Sequence, residues 1–399
     1  MARKQRPAHL LGRRILSPIL EFIKDSRAVG ITLICCTMLS LFLSNSVWGE
    51  GFMQFWLTEI HLPTNALTIP HTFLHMINDG LMALFFLLVG MEIKRELVNG
   101  ELSSVKKSLM PILGAVGGMV VPALIYIMWC GGTPYASGWG VPMATDIAFS
   151  LGVLSLLGKR APMPVKIFLT ALAIIDDLGA IVAIALFYTS TINLTNLAIG
   201  GGIFGLLLVM NRMKVSSLWL YFILGAGLWY FIFNSGVHAT IAGVLLAFTI
   251  PVRKIDNLEH ALHDPVSFII LPLFALANTA IALPDDFSVV YSSNVHHGIF
   301  MGLVLGKPLG IFLMCFLAVK LRVAALPKLM TWNHIIGMGL LAGIGFTMSI
   351  FIATLAFDTE QQQVISKVAI IGASAVAAVA GFLYLYLQKR AEVVPEVVQ

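Results

Sequence analysis

Residues 164–187 read PVKIFLTALAIIDDLGAIVAIALF and place Asp176 and Asp177 side by side in an apolar run about as long as a bilayer is thick. About ten apolar residues flank the pair on each side, so both carboxylates are expected near mid-depth of a membrane. A carboxylate there costs on the order of several kcal/mol unless it meets a cation, a counter-charge or a proton. The pair predicts an ion or proton site, against the alternatives of a helix end or two silent core acids.

The composition belongs to a membrane protein. Of 399 residues, 58% are hydrophobic and only 11% are charged, which excludes an ordinary soluble domain. The apolar runs are about 20 residues long and lack the alternation of a barrel strand, so they predict an all-α polytopic protein. The net charge of +5 is distributed as membrane-orienting charge, and no nucleic-acid partner is expected.

Twelve stretches have the apolar character of a transmembrane helix. They divide the chain into a cytoplasmic tail at 1–27, a transmembrane region at 28–388 and a second cytoplasmic tail at 389–399. The predicted spans are 28–45, 72–93, 109–129, 141–157, 164–187, 196–210, 218–233, 236–250, 266–283, 298–318, 334–356 and 367–388.

The distribution of basic residues predicts the orientation of these spans. With twelve spans, 23 of the 25 Lys and Arg residues fall in the two tails, in loops on one side or, as Lys166 does, in the first turn of a span on that side, which leaves Lys307 inside a span and Lys367 in an outside loop. Because cytoplasmic loops carry the excess of Lys and Arg, both termini are predicted to be cytoplasmic. No cleavable signal peptide is expected, since the basic start leads into span 1 without a small-residue cleavage pattern.

Two spans are interrupted in their middle. Span 4 is short and places Thr145 and Asp146 where an apolar core is expected, and span 11 carries Gly343, Gly345 and Thr347 at its centre. Each is the middle member of a group of three, spans 3–5 and 10–12, and the charge pattern orients the groups oppositely. This predicts an inverted-topology repeat whose two discontinuous helices cross near the midplane, as in secondary transporters. The alternative for Asp146 is a cap at an outer helix end.

Span 10 contains Lys307 in LVLGKPLG, about ten residues from either predicted end. A buried ammonium needs a carboxylate partner, and Asp146, Asp176 and Asp177 are the candidates at that depth. Snorkelling to an interface is the alternative. Span 3 carries Gly114, Gly117 and Gly118, which permit close approach of another helix.

Titratable residues gather at predicted cytoplasmic ends. Glu92 and Arg95 lie in MEIKREL at the end of span 2, where ordinary helix-surface pairing is an equal alternative. The predicted inside loop at 252–265 reads VRKIDNLEHALHDP, and its histidines beside acids indicate a proton sensor or a solvated loop. His238 in GVHAT lies near an interface, where a lone histidine is more often structural.

Eight stretches in this order resemble the NhaA-type sodium/proton antiporters of bacterial inner membranes. They cover most of the span region and are INDGLMALFFLLVGMEIKREL, ATDIAFSLGVL, ALAIIDDLGAI, SGVHATIAGV, LEHALH, ILPLFALAN, GKPLGI and GIGFTMSIFIATLAF.

The resemblance implies roles for individual residues. It implies that Asp177 is the principal carboxylate for Na⁺ or Li⁺, that the neighbouring Asp176 interacts with Lys307, and that Thr145 and Asp146 form the unwound motif at the crossing. It further implies electrogenic exchange of two protons per sodium, no cofactor, and a homodimer formed through the outside segment 46–71. The residues implied in the pH response are Glu92, Arg95, Glu259, His260, His263 and His238.

Two other functions are compatible with intramembrane acids. A cation channel needs neither interrupted helices nor an acid at which protons compete with the cation. A membrane-embedded enzyme needs acids on separate helices or an acidic motif with basic residues for pyrophosphate, and the pair Asp285 and Asp286 lacks basic neighbours in the sequence. Both functions fit these residues less well than antiport does.

Overall fold

The computed structural model describes residues 27–60, 71–189, 192–327 and 329–388, so both predicted tails lie outside the described residues except for Arg27. This part of the chain is almost entirely helical. The principal helices are α1 Ala28–Ser44, α2 Gly49–Leu57, α3 Phe73–Val98, α4 Val105–Cys130, α5 Ile147–Leu156, α6 Met163–Phe187, α7 Leu194–Arg212, α8 Leu218–Phe233, α9 Thr240–Thr249, α10 Val252–Asn278, α11 Asn294–Lys320, α12 Trp332–Ala342, α13 Phe346–Ala356 and α14 Glu360–Leu387.

All twelve predicted stretches contain helix. Within the described ranges, eight helices are long and apolar enough to cross a membrane, or ten if each of two bent pairs counts as one span. The bent pairs are α1 with α2, at 114°, and α12 with α13, at 48°. The two remaining stretches are the shorter apolar helices α8 and α9, of 16 and 10 residues. The prediction of an all-α polytopic fold with interrupted helices is confirmed.

The predicted loop at 252–265 is wrong, because these residues form the first half of α10. The charged residues had suggested a loop, but the segment is strongly amphipathic: Ile255 and Glu259 are buried while Arg253 and Asp256 are exposed. One apolar stripe is enough to hold a helix against α3. The helix then passes through a wide π turn, Val266–Ile270, and ends at Asn278.

The placement of Lys367 in an outside loop is also wrong. Lys367 lies in α14, about two turns after the helix begins at Glu360, and only 6% of its surface is exposed. The helix starts earlier than predicted because the segment EQQQ is polar but has good helix propensity.

The outside segment after span 1 begins with structure. Helix α2 follows α1 after a sharp bend, and Glu59 then pairs with Thr72 in an isolated antiparallel bridge. Residues 61–70, in the predicted dimer segment, lie outside the described residues.

Helices α4 and α11 pack backbone to backbone. A Cβ atom added to Gly117 would lie 2.1 Å from the Gly310 carbonyl oxygen, and one added to Gly310 would lie 2.1 Å from that of Gly117. The contact requires glycine on both helices, as the glycines of span 3 had suggested. It places α11, and with it Lys307, beside the helices that carry the intramembrane acids.

Two interrupted spans cross at the centre of the fold. A 3₁₀ segment, Ala136–Met143, precedes α5, and residues 144–146 between them are not helical. The second interruption, at 343–345, separates α12 from α13. The Asp146 amide donates to the Ile344 carbonyl at 2.7 Å, so the second break supplies a hydrogen-bond acceptor to the first. The opposite membrane orientation of the two groups stays a prediction that rests on their charges.

Candidate functional site

Asp146 joins the two interruptions. It is the N-cap of α5, where its Oδ1 accepts from the Phe149 amide at 2.9 Å. Its Oδ2 accepts from the amide and the hydroxyl of Thr347, at 3.1 and 2.5 Å. With 2% exposure this carboxylate is buried, and protein donors reach both of its oxygens. Asp146 therefore caps a helix at the crossing, and not at an outer helix end.

Lys307 pairs with Asp176. Lys307 directly follows the π turn Gly302–Gly306 in the chain. Its ammonium donates to Asp176 Oδ2 and to the Thr145 hydroxyl. Thr145 Oγ1 also lies 2.7 Å from Asp176 Oδ2 and 2.9 Å from the Ala342 carbonyl of the second break. All three side chains have no exposed surface. The structure thus selects Asp176 from the three carboxylates that the sequence offered as partners for the lysine.

Asp177 has different surroundings, although it is adjacent to Asp176 in the chain. Its Oδ1 is buried, and within the described residues the carboxylate accepts no hydrogen bond. It interacts electrostatically with Asp176, Asp146 and Glu92 and, with opposite sign, with Lys307. Asp177 is therefore the intramembrane acid that protein donors leave open.

A cavity of about 260 Å³ leads to Asp177. Asp177, Asp146 and Thr347 line its inner part, and Glu92, Arg95 and His263 line its other part. Because Asp177 lies close to the middle of α6, which is about 37 Å long, the cavity gives the carboxylate access from one side of the fold. That side carries the ends of α3 and α6 that the charge pattern predicts to be cytoplasmic.

The predicted pH-response residues divide into three groups. Arg95 forms an ion pair with Glu259 on α10, with 36% and 12% of their side chains exposed, and Glu92 and His263 line the cavity nearby. His260 is exposed and does not line the cavity. His238 belongs elsewhere: its Nε2 lies 2.7 Å from the carbonyl of Tyr188, at the opposite end of α6. Burial lowers the pKa of His238 below its usual value, and the Tyr188 carbonyl partly opposes this effect.

Thr347 is a site residue that sequence reasoning did not assign. The threonine had been noted only as part of a helix break, whereas the structure makes it the principal donor to Asp146. The signal available in the sequence was a hydroxyl residue two positions after the last glycine of the interruption, where an unwound chain needs local hydrogen bonds. The carbonyls of Ala342 and Ile344 carry no sequence signal, because every residue has one.

The sequence profile of the family described as Na⁺/H⁺ antiporter 1 matches residues 20–385 of this chain. The chain belongs to the Na⁺/H⁺ antiporter 1 family. This confirms the family resemblance drawn from the eight motifs, and it confirms a membrane transporter in place of an enzyme.

Individual relatives match the antiporter over nearly its whole length. The Na⁺/H⁺ antiporter NhaA 2 of Flavobacterium johnsoniae is 52% identical over 372 residues, which cover 92% of this chain and 91% of the relative. The NhaA antiporter of Dechloromonas aromatica is 51% identical over 376 residues, covering 92% and 94%. That of Shewanella frigidimarina is 46% identical over 387 residues, covering 95% and 97%.

Proposed function

We propose that this protein exchanges cytoplasmic Na⁺ or Li⁺ for external protons by competition of cation and proton at Asp177 and Asp176. Membership of the Na⁺/H⁺ antiporter 1 family supports the exchanged ions. The observation that carries the mechanism is the contrast between two adjacent acids. Asp177 lines the cavity without a hydrogen-bond donor among the described residues, while Asp176 is paired with Lys307.

Competition follows from the position of Asp177. A poorly solvated carboxylate is unfavourable as a bare anion, so it takes up either a proton or a cation. The two ligands neutralise the same charge, and binding of one displaces the other. Carboxylate oxygens are hard ligands that suit small, hard cations such as Na⁺ and Li⁺. If the loaded site opens alternately to each side, an inward proton gradient drives Na⁺ outward.

The pair of Lys307 and Asp176 supplies the second titratable unit that electrogenic exchange requires. Breaking this ion pair leaves a buried ammonium and a buried carboxylate, and each is then stabilised by losing or gaining a proton. Thr145 contacts both partners and also the Ala342 carbonyl of the second break. A change in the protonation of the pair therefore alters the contacts at the helix crossing. The titration belongs to the coupled group of acids and lysine.

We assign pH regulation to the part of the cavity where Arg95 and Glu259 pair. This ion pair fixes α3 against α10, and Glu92 and His263 line the cavity beside it. A change of protonation here alters both the charge along the cavity and the attachment of the two helices. Glu259→Gln is expected to move the pH dependence of exchange while leaving maximal exchange within about twofold. An unchanged pH profile in this variant would contradict the assignment of pH regulation to this ion pair.

The proposed setting is the bacterial inner membrane, with both termini cytoplasmic and a homodimer formed through residues 46–71. Support for the dimer comes from α2 and its start, where Val47, Trp48, Phe55 and Leu57 are largely exposed. Exposed apolar and aromatic side chains of this kind favour a protein contact over water. Trp48→Glu is expected to convert a dimer to a monomer in detergent, as measured by light scattering. A native protein that is monomeric at all concentrations contradicts the proposal.

The deciding experiment is collapse of an imposed pH gradient by Na⁺ or Li⁺ in proteoliposomes, comparing the native chain with Asp177→Asn between pH 6.5 and 8.5. Asparagine keeps the shape and removes the titratable charge. The native protein is expected to dissipate the gradient and Asp177→Asn to lose at least about 100-fold in rate, because neutral asparagine cannot exchange a proton for a cation.

Asp285→Asn is the matched control, since this acid is exposed and far along the chain from the crossing. It should exchange at the native rate. Normal exchange by a folded Asp177→Asn protein overturns the competition mechanism and makes Asp146 the next candidate. A native protein that is silent at every pH overturns the exchange itself.

A further inference from the structure

Two hydroxyl side chains line the cavity between its charged part and Asp177, and no role has yet been assigned to either. Thr170 lies on α6, where Thr170, Ile174 and Asp177 line the cavity at spacings of four and three residues, one face of a helix. Ser267 lines it from α10. The cavity therefore has a hydroxyl on each of two helices that border it.

Neither hydroxyl has a protein partner among the described residues, although Ser267 is only 6% exposed. This is unusual within the molecule. Buried Thr37 and Ser44, for example, donate to the carbonyls four residues earlier in α1, at 2.8 and 2.7 Å. Ser267 lies instead in the π turn Val266–Ile270, where the helical ladder is widened. Ser267 is thus a largely buried residue that lines the cavity and whose hydroxyl has no protein partner among the described residues.

The positions place these oxygens at intermediate depth. Ser267 follows His263 by four residues and lies about 6 Å further along α10, away from the Arg95–Glu259 ion pair. Thr170 precedes Asp177 by seven residues, about 10 Å along α6. Glu92 lines the same cavity from α3. A cation that enters must lose bulk water in this region before it reaches the carboxylate.

We propose that the Thr170 and Ser267 hydroxyls form a second cation station, which replaces part of the hydration shell of Na⁺ or Li⁺ on its way to Asp177. This inference rests on the proposed exchange function. Hydroxyl oxygens are hard, neutral ligands, so they substitute for water without trapping the ion as a further carboxylate would. The station lowers the cost of entering the cavity, and the carboxylates retain the competition with protons.

The test is the concentration dependence of exchange in proteoliposomes for Thr170→Val, Ser267→Ala and the double variant. Each single substitution is expected to raise the apparent KM for Na⁺ about threefold and the double substitution about tenfold, as for loss of one or two modest polar contacts. Maximal exchange at saturating Na⁺ should stay within about twofold, because the stabilised species is an entering ion. The KM for Li⁺, which is more strongly hydrated, should rise more than that for Na⁺.

Two pairs of controls separate coordination from packing. Thr170→Ser and Ser267→Thr keep the oxygen and should retain a KM near the native value. Thr354→Val and Ser366→Ala remove hydroxyls that donate to carbonyls of their own helices and do not line the cavity, and they should leave KM unchanged.

An unchanged KM in the double variant overturns the station while the native exchange and its dependence on Asp177 stand. An equal rise of KM in the oxygen-retaining variants overturns it too, because packing would then be the cause. Loss of exchange in the native protein itself is the separate failure of the proposed function.

Discussion

Buried carboxylates accept hydrogen bonds from the protein at the helix crossing, whereas the carboxylate of Asp177 in the cavity beside it accepts none in the part of the chain that the structure describes. At the crossing, Asp146 accepts hydrogen bonds at both oxygens, and Asp176 is held by Lys307 and Thr145. In the cavity, the Asp177 carboxylate has no protein donor within the described residues. Asp176 and Asp177 are neighbours in sequence, yet they fall on different sides of this division because successive helical residues point about 100° apart.

The difference separates carboxylates that protein donors already hold from a carboxylate that is available to an ion or a proton. The donors that reach both oxygens of Asp146 come from two interrupted helices, and they hold these helices together without a membrane-exposed backbone, which the bilayer would not tolerate. A carboxylate without such donors loses no protein hydrogen bond when it binds a cation or a proton. In the proposed exchange, the crossing therefore holds the interrupted helices together and supplies the pair of Lys307 and Asp176 as the second titratable unit, while Asp177 in the cavity binds the ion.

The largest expected effect is on stability, at the crossing. Lys307→Ala leaves Asp176 buried without its counter-charge and should lower the free energy of unfolding by about 3–5 kcal/mol. Asp177→Asn removes no protein contact and should change it by less than about 1 kcal/mol. Thermal unfolding of both variants in detergent measures the difference.

Removal of both charges provides the control for that prediction. The double variant Lys307→Met with Asp176→Asn should recover most of the lost stability, because no unpaired charge remains. Equal destabilisation by Lys307→Ala and Asp177→Asn would break the comparison between the two regions.

A smaller effect on stability is expected when a threonine is replaced by valine, once at the helix crossing and once in the cavity. Thr347→Val removes the hydroxyl donor to Asp146 and should cost about 1–3 kcal/mol of unfolding free energy, since it leaves a buried carboxylate with fewer partners. Thr170→Val, in the cavity, removes a hydroxyl without a partner in the described structure and should cost less than about 0.5 kcal/mol. Thermal unfolding that ranks the two variants in the reverse order contradicts the division.

The smallest expected effect concerns pH and lies outside both regions. Burial lowers the pKa of His238 below its usual 6.5, so the unfolded chain binds this proton more tightly than the folded one. The contribution of His238 to stability is present above pH 6.5 and is lost as the pH falls through 6.5 toward the lower folded pKa.

His238→Gln keeps a side-chain donor for the Tyr188 carbonyl but does not titrate. Unfolding midpoints of this variant and the native chain, measured at pH 5 and pH 8, should show a smaller acid-induced decrease for the variant. A steeper decrease in the variant would show that the sign is wrong.

The interruptions of the fold were predictable from the sequence. Polar or glycine residues in the middle of spans 4 and 11 cannot continue an apolar helix without cost, and the breaks lie at Thr145 and Asp146 and at Gly343 to Gly345. The helix at 252–265 was missed because its many charges resemble those of a loop. Its packing against α3 shows that burial of one face, which includes Ile255 and Glu259, is enough to stabilise this segment as a helix.

The candidate site was predictable as a set of residues but not as a set of contacts. Lys307 needed a carboxylate, and three acids at similar depth were equivalent in sequence. The π turn before Lys307 and the glycine contact between α4 and α11 bring it to Asp176. Thr347 and the two cavity hydroxyls went unassigned, because a threonine or serine in an apolar helix usually bonds its own backbone.

Composition, charge alternation and the order of motifs were sufficient for the class of protein, the places where its helices break and the residues that carry charge inside it. These are properties of each segment alone, set by the cost of polar groups in an apolar solvent. The partner of each charge was decided only when the segments packed. Whether a carboxylate is saturated or open depends on which donors from distant segments come within about 3 Å, and no local pattern encodes that distance.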